Sequence, residues 1–167
     1  IRDRVGTSGQ NAIVTSPNTS SAYTITVNGT IKAQYYSLSN LGTTGLTINS
    51  GATIDPTYYL QNGTFSYPVN SSTSFLNLNR QVPGNALDFM TFDSNSSAAT
   101  SITNITTSTT AGTLTVTNYN GDLAGESYDS DPTYVVDWSS PTNTLKLTQE
   151  STTPASLDQG STYTMGM

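Results

Sequence analysis

The stretch Ala22-Tyr-Thr-Ile-Thr-Val-Asn-Gly-Thr-Ile-Lys-Ala-Gln-Tyr-Tyr-Ser-Leu38 sets two alternating apolar runs on either side of an Asn-Gly pair. Alternation with period two marks half-buried strands, and Asn-Gly between two such runs is a strong short-range hairpin signal. Tyr23, Ile25 and Val27 share one strand face. Ile31, Ala33 and Tyr35 join that face only if Asn28, Gly29 and Thr30 together form the loop, because a two-residue loop would oppose Val27 to Thr30 and turn Ile31 outward. The stretch therefore predicts an antiparallel hairpin with a three-residue bulged turn.

The same reading extends along the chain. Tyr58-Tyr-Leu-Gln-Asn-Gly-Thr-Phe-Ser-Tyr67 predicts a second hairpin, with a two-residue loop at Asn62-Gly63 that sets Leu60 opposite Phe65. Short strands are predicted over 45–55, which Pro56 stops, and over 73–79 and 86–92, with a turn at Pro83-Gly84. The Thr-rich stretch 101–109 reads as an edge strand or an exposed loop. In 112–118, Leu114 and Val116 point inward, and further strands are predicted over 133–138, 143–149 and 161–167. No helical period and no repeat of fixed length is apparent. Strands at this spacing predict an all-β protein with a single immunoglobulin-like, pilin-like β-sandwich over residues 22–167 and an extended arm over 1–21.

Composition narrows the function. Ser and Thr make up about a third of the 167 residues, and charged residues only 10%. A net charge of −6 leaves no basic stripe for phosphates, so nucleic acid is not an expected partner. No apolar run reaches the roughly 20 residues a membrane helix needs. The chain has no cysteine and no histidine, which excludes disulfides, Ser-His-Asp and Cys-His sites and His-ligated zinc. Only carboxylate chemistry is left, from Asp88, Asp93, Asp122, Glu126, Asp129, Asp131 and Asp137, and nothing in the sequence pairs two of them as a glycosidase requires. Neither catalysis nor a cofactor is expected.

Other features have weaker readings. The oxygen-rich stretch Asn118 to Asp131 could ligate calcium, although its spacing completes no EF-hand and an acidic loop explains the same residues. Lys32 and Lys146, the two lysines, each fall in a predicted strand and could form an isopeptide bond with an Asn or Asp; the plainer reading is an edge-strand lysine that opposes aggregation. Six N-x-[ST] sequons, at Asn18, Asn28, Asn62, Asn70, Asn95 and Asn104, fall mostly at predicted turn tips or Ser-rich loops, where N-glycans would project into solvent. With a chain that starts at Ile1 and so suggests a removed leader, they place the protein outside the cell as a glycoprotein.

The arm carries Arg2 and Arg4 and has Ile1, Val5 and Ile13 on one strand face. Sixteen extended residues span roughly 50 Å, enough to lie along a neighbouring sandwich that lacks a strand. A free arm, a Thr/Ser/Asn-rich β body, scattered sequons and the absence of Cys and His together resemble the subunits of archaeal surface threads. These are glycosylated β-sandwich pilins joined by donor-strand complementation, similar in architecture to bacterial type I pilins. The resemblance implies an extracellular filament of identical subunits, each inserting its arm into the next head to tail, with adhesion to cells or surfaces as the role. The alternative from another class is a monomeric carbohydrate-binding or adhesive β-sandwich of a surface layer.

Overall fold

Val27 and Ile31 do not face each other across a hairpin. In the computed structural model, which describes residues 11–18, 20–57, 59–69, 73–80, 82, 87–95, 101–108, 113–132 and 135–139, the strand that starts at Tyr23 pairs in parallel with a strand 18 to 21 residues further on. The chain winds as a coil of short strands, and every described strand pair is parallel. The predicted immunoglobulin-like sandwich is thus replaced by a β-solenoid.

Each coil contributes one strand to each of three faces. The first coil holds β1 (Ala12–Val14), β2 (Tyr23–Val27) and β3 (Thr30–Ile31); the second holds β4 (Tyr36–Ser39), β5 (Leu41–Ile48) and β6 (Thr53–Ile54). The third holds β7 (Gly63–Ser66), β8 (Ser74–Leu78) and β9 (Leu87–Asp88); the fourth holds β10 (Thr91–Asp93), β11 (Thr103–Thr107) and β12 (Leu114–Thr117). One face stacks β1-β4-β7-β10 and the next stacks β2-β5-β8-β11. The third is split into β3-β6 and β9-β12-β13, where β13 is Val136–Trp138. Residues 119–132, with the short 3-10 turn Glu126–Tyr128, extend the first two faces through single bridges at Asn120 and Ser130.

The sequence pattern explains why hairpin and solenoid look alike. Period-two alternation says which side chains point inward, and says nothing about which strand lies alongside. Ile25, Leu46, Leu76 and Ile105 form one inward column, and Val27, Ile48, Leu78 and Thr107 the next. The corner after these strands is closed by an asparagine ladder. Asn49 Nδ2 donates to Asn28 Oδ1 at 2.6 Å, and Asn79 Nδ2 to Asn49 Oδ1 at 3.4 Å. Asn28 and Gly29 therefore turn a corner between two faces of the coil instead of reversing the chain.

The predicted hairpin at Asn62-Gly63 is overturned for the same reason. Gly63 stacks on Tyr36 of the coil before it, and Phe65 on Leu38 and Phe92, while Leu60 is a separate core residue. A Cβ on Gly63 would sit 2.3 Å from Tyr36 Cζ, so the missing side chain is what admits the buried Tyr36 ring, whose hydroxyl donates to Leu60 O at 3.1 Å. The rings of Phe65 and Phe92 stack at 5.4 Å and 6°, with Tyr36, Phe75 and Trp138 packed against this pair.

A repeat accompanies this stacking. Tyr35-Tyr-Ser-Leu-Ser-Asn40, Asn62-Gly-Thr-Phe-Ser-Tyr67 and Phe89-Met-Thr-Phe-Asp-Ser94 occupy the same place in successive coils, 27 residues apart. Their first residues all adopt left-handed backbone, with φ of 53°, 55° and 53°, and Asn118 continues the column at 49°. Leu114 and Val116 point inward as predicted, and the Thr-rich stretch 101–109 supplies β11 at one edge of its sheet. The strands predicted over 143–149 and 161–167 and the turn at Pro83-Gly84 lie outside the described residues.

Candidate functional site

Among the described residues the two ends of the solenoid differ, and the first coil is the less covered. Val14, Ile25, Val27 and Ile31 point into the coil yet are only half-buried, whereas Leu38, Leu46, Ile48 and Ile54 one rung further in are buried. Among the described residues β1, β2 and β3 each pair on one side alone, with β4, β5 and β6. Ala12 N donates to Tyr35 O at 2.9 Å. Because successive residues of a strand aim their backbone groups to opposite sides, Ile13 directs its N–H and C=O to the open edge. Its side chain, 71% exposed, lies on the outer surface.

Of the proposed donor-strand residues, Ile13 therefore sits in the edge strand of this chain's own sheet, and Ile1 and Val5 lie outside the described residues. The boundary expected at residue 21 falls inside the first coil. Val14 O accepts the Tyr23 hydroxyl at 2.6 Å, and Thr15 Oγ1 accepts Asn40 Nδ2 at 2.9 Å. The described part of the arm is tied down by its own molecule.

At the other end, residues 126–131 bring three carboxylates together. One oxygen from each of Glu126, Asp129 and Asp131 lies within 4.8 Å of the others, an arrangement that could ligate a hard divalent cation. Asp129 Oδ2 accepts Trp138 Nε1–H at 2.7 Å, and Asp131 Oδ2 accepts Val136 N–H at 2.5 Å. Burial pushes the Asp129 carboxyl up to about 6, against the Trp138 hydrogen bond and with help from the charges of Glu126 and Asp131. Its folded value thus exceeds the unfolded one of 3.8. The folded state binds more protons in this interval, so this group's contribution to stability falls as pH rises from about 4 to about 6. Trp138 is the only tryptophan. Its fluorescence should titrate with a midpoint near 6, and Asp129→Asn should abolish the transition.

The other carboxylates are dispersed. Asp88 Oδ1 accepts Thr117 Oγ1, Asn118 Nδ2 and Phe89 N, an internal bracket at a corner. Burial alone would raise Asp122, but the hydroxyl and N–H of Ser94 hold it below the ordinary range, and Asp93 is its neighbour there. Asp137 is exposed on β13. Asp55 accepts the Thr57 N–H at 2.9 Å, which, with the Lys32 ammonium at 3.2 Å, lowers the Asp55 pKa. Lys146 lies outside the described residues.

The sequons separate clearly by environment. Asn18, Asn28 and Asn95 are exposed and Asn62 is half-buried. Asn18 Oδ1 accepts the N–H and hydroxyl of Ser20, and Asn28 takes part in its ladder through Oδ1, so in both the Nδ2 that would carry a sugar is outside these bonds. Asn104 is fully buried, and its Nδ2 donates to Leu123 O at 2.8 Å and Gly125 O at 2.9 Å. Both hydrogens are in use inside the protein, so in the folded chain this side chain is a bracket for the 123–125 turn, closed to a glycan. Asn70 lies outside the described residues.

Sequence reasoning missed the Trp138–Asp129 bond and the asparagine ladder. The ladder did leave a trace, since Val27-Asn28, Ile48-Asn49 and Leu78-Asn79 each set an Asn directly after the last inward apolar residue of a strand. Among the described residues no helix is long and apolar enough to cross a membrane. Comparison with protein families, with curated proteins and with solved structures finds no match.

Proposed function

We propose that this chain is a structural subunit of an extracellular filament, in which solenoids add end to end, head to tail. The observation that carries the reading is the first coil: among the described residues its three strands are unpaired on one side, above inward-facing Val14, Ile25, Val27 and Ile31 that are only half-buried. An open strand edge is a template for another chain, and repeat proteins need an end cap to remain separate. A second copy whose last coil stacks on this edge satisfies the backbone groups and covers the apolar side chains together. The contact joins two different surfaces, so it leaves each dimer with free ends and grows an open filament.

This replaces donor-strand insertion into a sandwich groove with strand addition at a solenoid end. Exposed Asn18, Asn28 and Asn95 are the glycan acceptors this reading favours, since sugars there leave every described core contact in place. The carboxylates serve structure at the corners, and the protein acts without catalysis or cofactor.

Purified protein imaged by electron microscopy should show filaments. Ile13→Pro removes an N–H that faces the open edge and costs no internal hydrogen bond, so it should abolish filaments while the circular dichroism spectrum stays unchanged. Wild-type protein that stays monomeric at high concentration would refute the reading; filaments of undiminished length from Ile13→Pro would remove β1 from the contact.

A further inference from the structure

The column of left-handed residues at one corner, Tyr35, Asn62, Phe89 and Asn118, alternates aromatic with asparagine. Asn is a normal occupant of left-handed backbone, whereas a bulky aromatic residue there is an outlier. Asn62 and Asn118 show that Asn satisfies this corner. Tyr35 and Phe89 bring no comparable benefit, because the residues are 47% and 56% exposed and neither ring stacks on another described ring. Of the four aromatic residues in left-handed backbone among the described residues, Tyr35, Tyr59, Tyr67 and Phe89, two thus fall in this one column and display their rings along it.

Rungs are about 4.8 Å apart, so the rings of Tyr35 and Phe89 repeat at about 10 Å along the solenoid axis. The advance per sugar of an extended β-linked hexopyranose chain is close to one rung, and alternate sugars present the same face. We infer that this corner is a binding ladder for an extended, neutral β-linked polysaccharide, with Tyr35 and Phe89 stacking on every second sugar and the Asn62 amide serving the sugar between them. The ladder is uncharged in a chain of net charge −6, which suits a neutral ligand. The nearest carboxylate, Asp88, has one oxygen saturated by Thr117, Asn118 and Phe89. The Asn62 N–H donates to Asp88 O, which fixes the backbone and leaves the side-chain amide to the ligand. This site does not depend on filament growth, and it would make the assembled rod adhesive along its length.

The test uses the full chain produced without N-glycans and titrated calorimetrically with cellohexaose, chitohexaose and maltohexaose. At least one of the two β-linked hexamers should bind, and the curled α-linked maltohexaose should bind at least tenfold more weakly. Tyr35→Asn and Phe89→Asn should each weaken binding tenfold or more while the melting temperature holds or rises, since Asn relieves the backbone. Asn62→Gly should weaken it severalfold, and Tyr67→Asn, at the other corner of the same strands, should leave it unchanged. The inference is overturned if neither β-linked hexamer binds, if maltohexaose binds equally well, or if the Tyr35→Asn, Phe89→Asn double variant retains affinity.

Discussion

Gly45→Ala should unfold the protein or lower its stability by about 3 kcal/mol or more, from the cost of left-handed backbone for a residue with a Cβ together with forced overpacking. Gly45 lies in the middle of β5 with φ of 48°, and a Cβ there would stand 2.2 Å from Ser74 O and 2.3 Å from Phe75 O. Both obstacles are backbone of the next rung. They cannot rotate away as a side-chain tip could, so relief requires β5 and β8 to separate along a stretch where Leu46, Leu76, Ile48 and Leu78 pack in register. For a chain of this size 1 kcal/mol moves the melting temperature by about 2–4 °C, so a drop of at least about 6–12 °C is expected. Urea unfolding with an unchanged midpoint would mean that the chain does not bend against β8 at this glycine.

Phe65→Ala should cost about 3–5 kcal/mol, the range for removing a buried aromatic side chain. Phe65 is the centre of the aromatic core: it stacks on Phe92, meets Tyr36 edge-on at 6.0 Å and lies 5.9 Å from Phe75. Those contacts join three successive coils, so the loss should fall on the whole domain as one cooperative transition. Combining Phe65→Ala with Phe92→Ala should cost clearly less than the two single losses added, because the stacked pair is shared. Phe89→Ala, three residues from Phe92 but with its ring in solvent, should change the denaturation midpoint little. Equal effects at Phe89 and Phe65 would contradict the inward and outward assignment of this face.

How far the sequence could be read follows from what each residue controls. The runs around Ile25, Phe75, Leu114 and Val136 announce strands with one inward side, and each lies in a described strand, with Phe75, Leu114 and Val136 in the core and Ile25 half-buried against it. Strand direction is decided at corners, and Asn28-Gly29 serves a solenoid corner as readily as a hairpin. The 27-residue recurrence from Tyr35 to Asn62 to Phe89 held the answer. It was hidden because the neighbouring face has uneven steps, 21 residues from Ile25 to Leu46 and 30 from Leu46 to Leu76, with a register shift between Tyr23 and Ile25. The site was less legible. A sequon records three residue types and nothing of burial, so Asn104 looked like Asn18. The carboxylate of Asp129 meets Trp138 only because β13 returns beside the 126–128 turn. The edge position of Ile13 could not be read at all from a stretch that pairs with residues 24 positions away.

Parallel stacking underlies the open first coil, the corner ladder and the core alike, and a cross-link tests it directly in a chain that has no native cysteine. Thr26 pairs with Thr47 in the solenoid, on the outer side of β2 and β5, whereas the hairpin implied by alternation about Asn28 to Thr30 would set Thr26 opposite Lys32. Paired residues on neighbouring strands meet the distance a disulfide needs. Mild oxidation of a Thr26→Cys, Thr47→Cys variant should therefore give a quantitative intramolecular disulfide, read by mass spectrometry, while Thr26→Cys, Lys32→Cys stays reduced. The reverse outcome, a bond between positions 26 and 32 and none between 26 and 47, would contradict the solenoid.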